Sequence, residues 1–223
     1  EGVNANIKMK ACHDKPLIYA VRRGHKDIVK LLLERGAYIN DTMNCYPLVR
    51  ASKEIMRLLL EWGADVNRGD PDLGTALHMA SHEGKKDNAQ LLLEWGADVN
   101  IVGGHWGTAL QAASSGSMDI VQLLLEWGAN VNIQGGYSGS ALIAASGWGN
   151  KPVVELFLEW GADVNIQGKK HGSALYAAAS HCHTEIAELL LAHGAKYLGP
   201  IDDAWYLRHG DSEESDSMDS DSD

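Results

Sequence analysis

Apolar positions along the chain gather into leucine triplets that return at a nearly fixed interval, each followed by the same polar turn. Leu58-Leu59-Leu60-Glu61-Trp62-Gly63-Ala64-Asp65-Val66-Asn67 recurs at Leu91–Asn100 and, with one change, at Leu123–Asn132. It returns again at Leu156–Asn165, where Phe157 takes the middle place of the triplet. The Gly of each Gly-Ala pair stands at 36, 63, 96, 128, 161 and 194, giving intervals of 27, 33, 32, 33 and 33 residues. A second phrase keeps step with the first: Gly74-Thr75-Ala76-Leu77, Gly107-Thr108-Ala109-Leu110, Gly139-Ser140-Ala141-Leu142 and Gly172-Ser173-Ala174-Leu175. Within a unit the apolar spacing is helical. From Gly74, Thr75 caps a first helix whose apolar positions, Ala76, Leu77 and Ala80, are mostly small, and Gly84 ends it. A second helix runs from about Lys86 to Trp95 on Ala89, Leu91, Leu92 and Leu93, and Gly96 stops it. Ala97-Asp98-Val99-Asn100 then leads into a projecting loop. A period near 33 makes the whole a solenoid, in which each unit buries its apolar face only against its neighbours. The predicted class is all-α: about six helix-turn-helix units with essentially no sheet.

The second unit breaks step. Ala37 to Pro47 spans 10 residues where Ala64 to Ala76 spans 12, and Pro47 to Gly63 spans 16 where Ala76 to Gly96 spans 20. Asp41–Tyr46 is therefore expected to be a clipped loop and Pro47–Ser52 a stub of helix. At the start, Glu1-Gly2-Val3-Asn4-Ala5-Asn6 has the form of a worn copy of the turn phrase, so the chain is expected to be the C-terminal piece of a longer protein. The array is assigned to residues 1–200, a C-terminal capping segment with Trp205 and Leu207 to 201–209, and an acidic tail to 210–223. That tail is dominated by Ser, Asp and Glu, with Met218 its one apolar side chain, the composition of a disordered segment, and Ser220 with Asp223 three residues on suits an acid-directed kinase.

These phrases resemble the ankyrin repeat, through Pro16-Leu17, Gly24-His25, Ile28-Val29-Lys30-Leu31-Leu32-Leu33 and Thr75-Ala76-Leu77-His78-Met79-Ala80. The resemblance covers roughly residues 1–198 and implies an ankyrin-repeat solenoid that binds a protein partner through its loop tips and the concave face of its first helices. Ala in place of Pro in the Thr-Pro-Leu phrase, with the Gly-Gly-x-x-Gly loops, is similar to ankyrin arrays of filamentous fungi. There such arrays form the recognition half of signalling NTPases similar to NOD-like receptors. The alternative is a free-standing adaptor or scaffold.

Projected onto this sequence, the family's contact positions are the loop tips Pro71-Asp72, Gly104-His105-Trp106, Gly136-Tyr137 and Lys169-Lys170-His171. The first-helix positions are Arg22-Arg23, His82-Glu83, Ser115, Gly147-Trp148 and Ser180-His181. These positions vary among copies while the frame stays fixed, which marks where packing imposes no choice. Candidate protein-binding residues are thus Arg22, Arg23, Asp72, His82, Glu83, His105, Trp106, Tyr137, Trp148, Lys170, His171 and His181. Trp106 and Trp148 are either interface anchors or side chains leaning on a neighbouring loop. The row Trp62, Trp95, Trp127 and Trp160 has the same two readings, packing or an exposed aromatic stripe, with packing preferred.

Charge and chemistry narrow the function further. The chain carries −11, of which seven acidic charges lie in Asp211–Asp223, leaving −4 on the body and no basic field for nucleic acid or anionic lipid. No apolar run reaches the roughly 18 residues of a membrane span. Three cysteines, Cys12, Cys45 and Cys182, scattered over different units, fit a reducing compartment, the cytoplasm or nucleus, rather than a disulfide framework. In His181-Cys182-His183 the three neighbours cannot all face one ion; Cys182 replaces the turn Gly and His183 holds the place of His25, so a structural role is expected and no metal. Gly103-Gly104 and Gly135-Gly136 lack a following Lys-Ser/Thr, so they are loops and not phosphate cradles. No catalytic residues, no cofactor and no enzyme activity are expected, and the fragment is expected to be monomeric.

Overall fold

The computed structural model describes residues 16–40, 46–116, 118–168 and 172–198. The opening worn copy, most of the clipped loop, the capping segment and the acidic tail lie outside the described residues. So do Lys170 and His171.

Helices come in antiparallel pairs. They are α1 (Pro16–Arg22) with α2 (Lys26–Glu34), the 3-10 helix Pro47–Arg50 with α3 (Lys53–Glu61), and α4 (Ala76–His82) with α5 (Lys86–Glu94). There follow α6 (Ala109–Ala113) with α7 (Met118–Glu126), α8 (Ala141–Trp148) with α9 (Lys151–Glu159), and α10 (Ala174–Ser180) with α11 (Thr184–Ala192). The second helix has nine residues in every repeat, and the first varies. In the second repeat the first helix shrinks to the four-residue 3-10 turn, where the missing residues had been located.

The core follows from residue size. First helices are squeezed between neighbours, and their buried faces are mostly alanine: Ala76 and Ala80, Ala109 and Ala113, Ala141 and Ala145, Ala174 and Ala178. The middle residue of each triplet from the second repeat on is fully buried, namely Leu59, Leu92, Leu124, Phe157 and Leu190. Phe157, the one phenylalanine of the chain, therefore fills a leucine site and not an exposed place.

The turn phrase has its own physical cause. Asparagine at its end clips the next repeat's Gly-Ala turn, satisfying two backbone groups that the helix end leaves open. Asn100 accepts from the Asn130 N–H at 2.8 Å and donates to the Gly128 carbonyl at 3.1 Å. Asn40, Asn67, Asn132 and Asn165 make the same pair of bonds to Gly63, Gly96, Gly161 and Gly194 and the residue two places beyond each. At the other edge Lys53–Asp87 and Lys151–Glu185 bridge neighbouring repeats on the surface at 2.9 and 2.7 Å. The hydrogen bond and opposite charge within the second pair raise the Lys151 pKa and lower that of Glu185.

Two first helices, α4 and α6, are started by capping boxes that also tie one repeat to the next. The Thr75 N–H donates to His78 Nδ1 at 3.1 Å, so the proton sits on Nε2, which donates to the Gly107 carbonyl at 2.9 Å. Gln111 repeats the arrangement, accepting from the Thr108 N–H at 2.7 Å and donating to the Gly135 carbonyl at 3.2 Å. Burial holds the His78 ring below the ordinary imidazole pKa, against the smaller opposite pull of the Gly107 and Ile101 carbonyls.

The described residues carry essentially no sheet, as expected, and the little pairing there is lies in the loops. β1 (Gly69–Asp70) pairs antiparallel with β2 (Gly74–Thr75), and single bridges close the next loops at Gly103–Gly107, Gly135–Gly139 and Gly168–Gly172. Successive tips then bond edge to edge: the His105 N–H donates to the Asp72 carbonyl at 2.9 Å, and the Tyr137 N–H to the His105 carbonyl at 2.8 Å. Gly136 is obligatory in this stack. It sits at φ +60°, and a Cβ there would overlap the Trp106 carbonyl carbon and the Gly107 nitrogen.

His183 has the structural role expected of it. Its Nε2 reaches back to the Gly147 carbonyl at 3.1 Å, as the Asn150 amide reaches Ser114 and Gly116 one repeat earlier. Cys182 adopts φ +61°, the left-handed turn that glycine takes elsewhere. Among the described residues no three His, Cys, Asp or Glu side chains converge on a point that would hold a metal ion.

Candidate protein-binding face

First helices end in a row of side chains that no packing constraint selects. One residue before the turn glycine, or before Cys182, stand Arg23, Glu83, Ser115, Trp148 and His181, all exposed. One place earlier, Arg22 and His82 are exposed too. Two local partnerships already occupy part of this row. Arg23 lies over the Tyr19 ring at 5.3 Å, and Lys85 pairs with Glu83 at 2.7 Å.

The loop tips Asp72, His105 and Tyr137 are exposed, held in line by their backbone bonds. Trp106 is different. Its ring stacks on His82 of the preceding repeat at 4.4 Å and 29°, half-buried, so the leaning reading describes it and the free-anchor reading does not. The tryptophan row needs the opposite correction. Trp62, Trp95, Trp127 and Trp160 are 44, 43, 46 and 48 % exposed, where packing had been preferred. Each follows the last residue of a second helix, and at that point the Asn clips hold the turn without help from the indole.

Three predicted residues spread over 44 places in sequence meet in space. Tyr137 from a loop tip, Trp148 from the end of α8 and His181 from the end of α10 line one cavity of about 180 Å³. Its floor is Ile143, Ala144 and Ala177, with Gly147 at the edge. His181 is oriented by its Nδ1, 3.0 Å from the Ala177 carbonyl and 3.1 Å from Ser180 Oγ. Trp148 is 69 % exposed, the highest value among the large apolar side chains described. The lining offers apolar contact and aromatic side chains at its rim, which suits an apolar side chain of a partner.

Arg22 and Glu83 lie elsewhere, on a larger cavity of about 440 Å³ over the shortened second repeat. Arg50, Asn88 and Met79 line it too, and none of these was singled out in the sequence. The signal was present: a first helix shortened by four residues between two full ones must leave a gap, and the gap's walls are the neighbouring helix ends.

In comparisons with known proteins, the family model described as "Ankyrin repeats (3 copies)" matches residues 1–70, 46–103, 69–135 and 109–199. A search of curated proteins finds no match.

Proposed function

The chain belongs to the ankyrin-repeat family, and from that premise we propose that it is a non-catalytic module that binds a protein partner on its first-helix face, with Trp148 as the anchor. Repeats of this family mediate protein–protein interactions. The observation that carries the assignment of a site is Trp148, 69 % exposed beside the apolar receptacle it shares with Tyr137 and His181. An indole left in water keeps a large apolar area unburied, and a partner side chain seated in the cavity would cover it. The mechanism is rigid display. The Asn clips and the bonded loop tips hold the face before the partner arrives, which reduces the ordering cost of association.

At the finer level the reading is that this array is the recognition part of a larger signalling protein working in the cytoplasm. The Gly-Gly-x-x-Gly loops and the scattered cysteines support it. An upstream segment with Gly-x-x-x-x-Gly-Lys-Ser/Thr in the full gene is the expected finding, and a gene that encodes the array alone would favour the adaptor reading.

A photo-crosslinking benzophenone side chain placed at position 148 tests the site. A discrete protein adduct is expected there and not at Gln122, which lies on the second helix α7. Equal labelling from both positions would contradict the assignment.

A further inference from the structure

We infer that the notch over the shortened second repeat recognises a carboxylate, taking an acidic side chain from a peptide segment of the partner; this rests on the reading of the chain as a protein-binding array. The first helices on either side, α1 and α4, have seven residues each, and the 3-10 turn between them has four. The cavity of about 440 Å³ so left falls within the size range of pockets that hold small ligands or a few side chains.

Its walls are cationic on a body that is otherwise acidic. Arg22 comes from the end of α1, Arg50 from the end of the 3-10 turn, and Lys85 from the turn after α4. Glu83 is the one carboxylate in the lining, and Lys85 already neutralises it at 2.7 Å. Arg22 and Arg50 have no carboxylate partner among the described residues, so two guanidinium groups face the space unpaired. Arginine's planar fork matches a carboxylate with two parallel hydrogen bonds.

Asn88 supplies the second, independent observation. It lines the notch, is only 8 % exposed, and its side-chain amide makes no hydrogen bond among the described residues. With no protein partner and no place among the fully buried polar atoms, its amide opens onto the notch, where a ligand would meet it. Its amide protons and the two guanidinium groups together form a donor set, complementary to a carboxylate. The floor of Met56, Met79 and Ala76 adds apolar contact for an aliphatic neighbour of the acid, which favours a peptide over a free inorganic anion.

The test uses the full chain and two fluorescein-labelled peptides, Leu-Asp-Glu-Leu-Asp and its amide counterpart Leu-Asn-Gln-Leu-Asn, read by anisotropy. The Asn88 side-chain amide is followed by NMR in parallel. The acidic peptide is expected to bind about tenfold or more tightly than the neutral one, as charge-assisted bonds to arginine require. Arg22→Ala with Arg50→Ala should abolish that preference, and both residues are exposed, so the fold survives. The Asn88 amide signals should shift on titration, and Gln122→Ala, on the second helix α7, should leave the acidic peptide's affinity unchanged. Equal binding of the two peptides, binding that persists in the double variant, or an unmoved Asn88 signal would overturn the proposal. Competition by inorganic phosphate at equal concentration would reduce the notch to a plain anion site and overturn it as well. Absence of any peptide binding alongside a Trp148-dependent adduct would sink the notch and leave the array's binding role standing.

Discussion

Removing one asparagine clip from the middle of the stack isolates the bond that couples repeats. In Asn100→Ala the 2.8 Å bond from the Asn130 N–H and the 3.1 Å bond to the Gly128 carbonyl are both lost. Each such bond contributes about 0.5–1.5 kcal/mol net, so the pair is worth about 1–3 kcal/mol. The site is solvent-accessible and water takes over part of the role, which places the expected loss at about 1–2 kcal/mol. For a body of this size that lowers the melting temperature by about 2–8 °C. The loss falls on the interface between the third and fourth repeats, because stability in a stacked array is a sum of units and nearest-neighbour terms. Urea unfolding gives the magnitude, and hydrogen exchange at the Asn130 amide gives the place. Gln90→Ala, on the exposed side of α5 where the side chain bonds only Glu94, should change stability by less than about 0.5 kcal/mol. A cost for Asn100→Ala as small as the control's, with the Asn130 amide still protected, would refute the clip as the coupling element.

Phe157→Ala should cost about 3–5 kcal/mol as a fully buried aromatic, while Trp95→Ala, at 43 % exposure, should cost about 1–2 kcal/mol; thermal unfolding of the two variants decides, and the reverse order would restore the packed reading of the tryptophan row. His78 has a lowered folded pKa, so the unfolded chain binds more protons and stability should fall as pH drops below about 6.5, by no more than about 1.4 kcal/mol per pH unit. His78→Gln, which borrows the Gln111 arrangement, should flatten that profile while the fold is kept, and parallel profiles would refute the assignment. Gly136→Ala should destabilise by about 2 kcal/mol or more, since the strained φ and the overlap with the next loop add. Gly128→Ala, also at positive φ but with open space beside it, should cost about 1–2 kcal/mol in the same denaturation assay, and equal costs would mean the loop stack yields freely.

The frame was legible because each element of the phrase answers one physical need. Leucine triplets bury, Thr75 and Thr108 cap, and glycine takes the left-handed turn, so repeat length and helix order follow from spacing alone. The shortened repeat was legible as a count, and its helix stub stands where expected at Pro47–Arg50. Less could be read of the surfaces. Whether Trp95 or Trp106 is the buried one depends on where the indole swings after the helix ends, and no periodicity encodes that. Trp106, in His105-Trp106-Gly107, finds His82, 24 residues back, while the Glu94-Trp95-Gly96 run leaves Trp95 43 % exposed. The Asn clips were hidden for a related reason. Asn100 looked like part of an extended turn, and its partners lie 28 and 30 residues away. The meeting of Tyr137, Trp148 and His181 was predicted residue by residue but not as one cavity, because that depends on the small Ala144 and Ala177 leaving room between them.

The central claim is that the first-helix face around Trp148 is where a partner protein docks. Once the partner crosslinked from position 148 is identified, calorimetry on its purified form measures the claim directly, with Trp148→Ala compared against Trp127→Ala. The account predicts a loss of affinity of about tenfold or more for Trp148→Ala, the size expected of an aromatic anchor, and less than about twofold for Trp127→Ala. Affinity unchanged by Trp148→Ala but lost with Trp127→Ala would contradict it and move the binding surface to the tryptophan row.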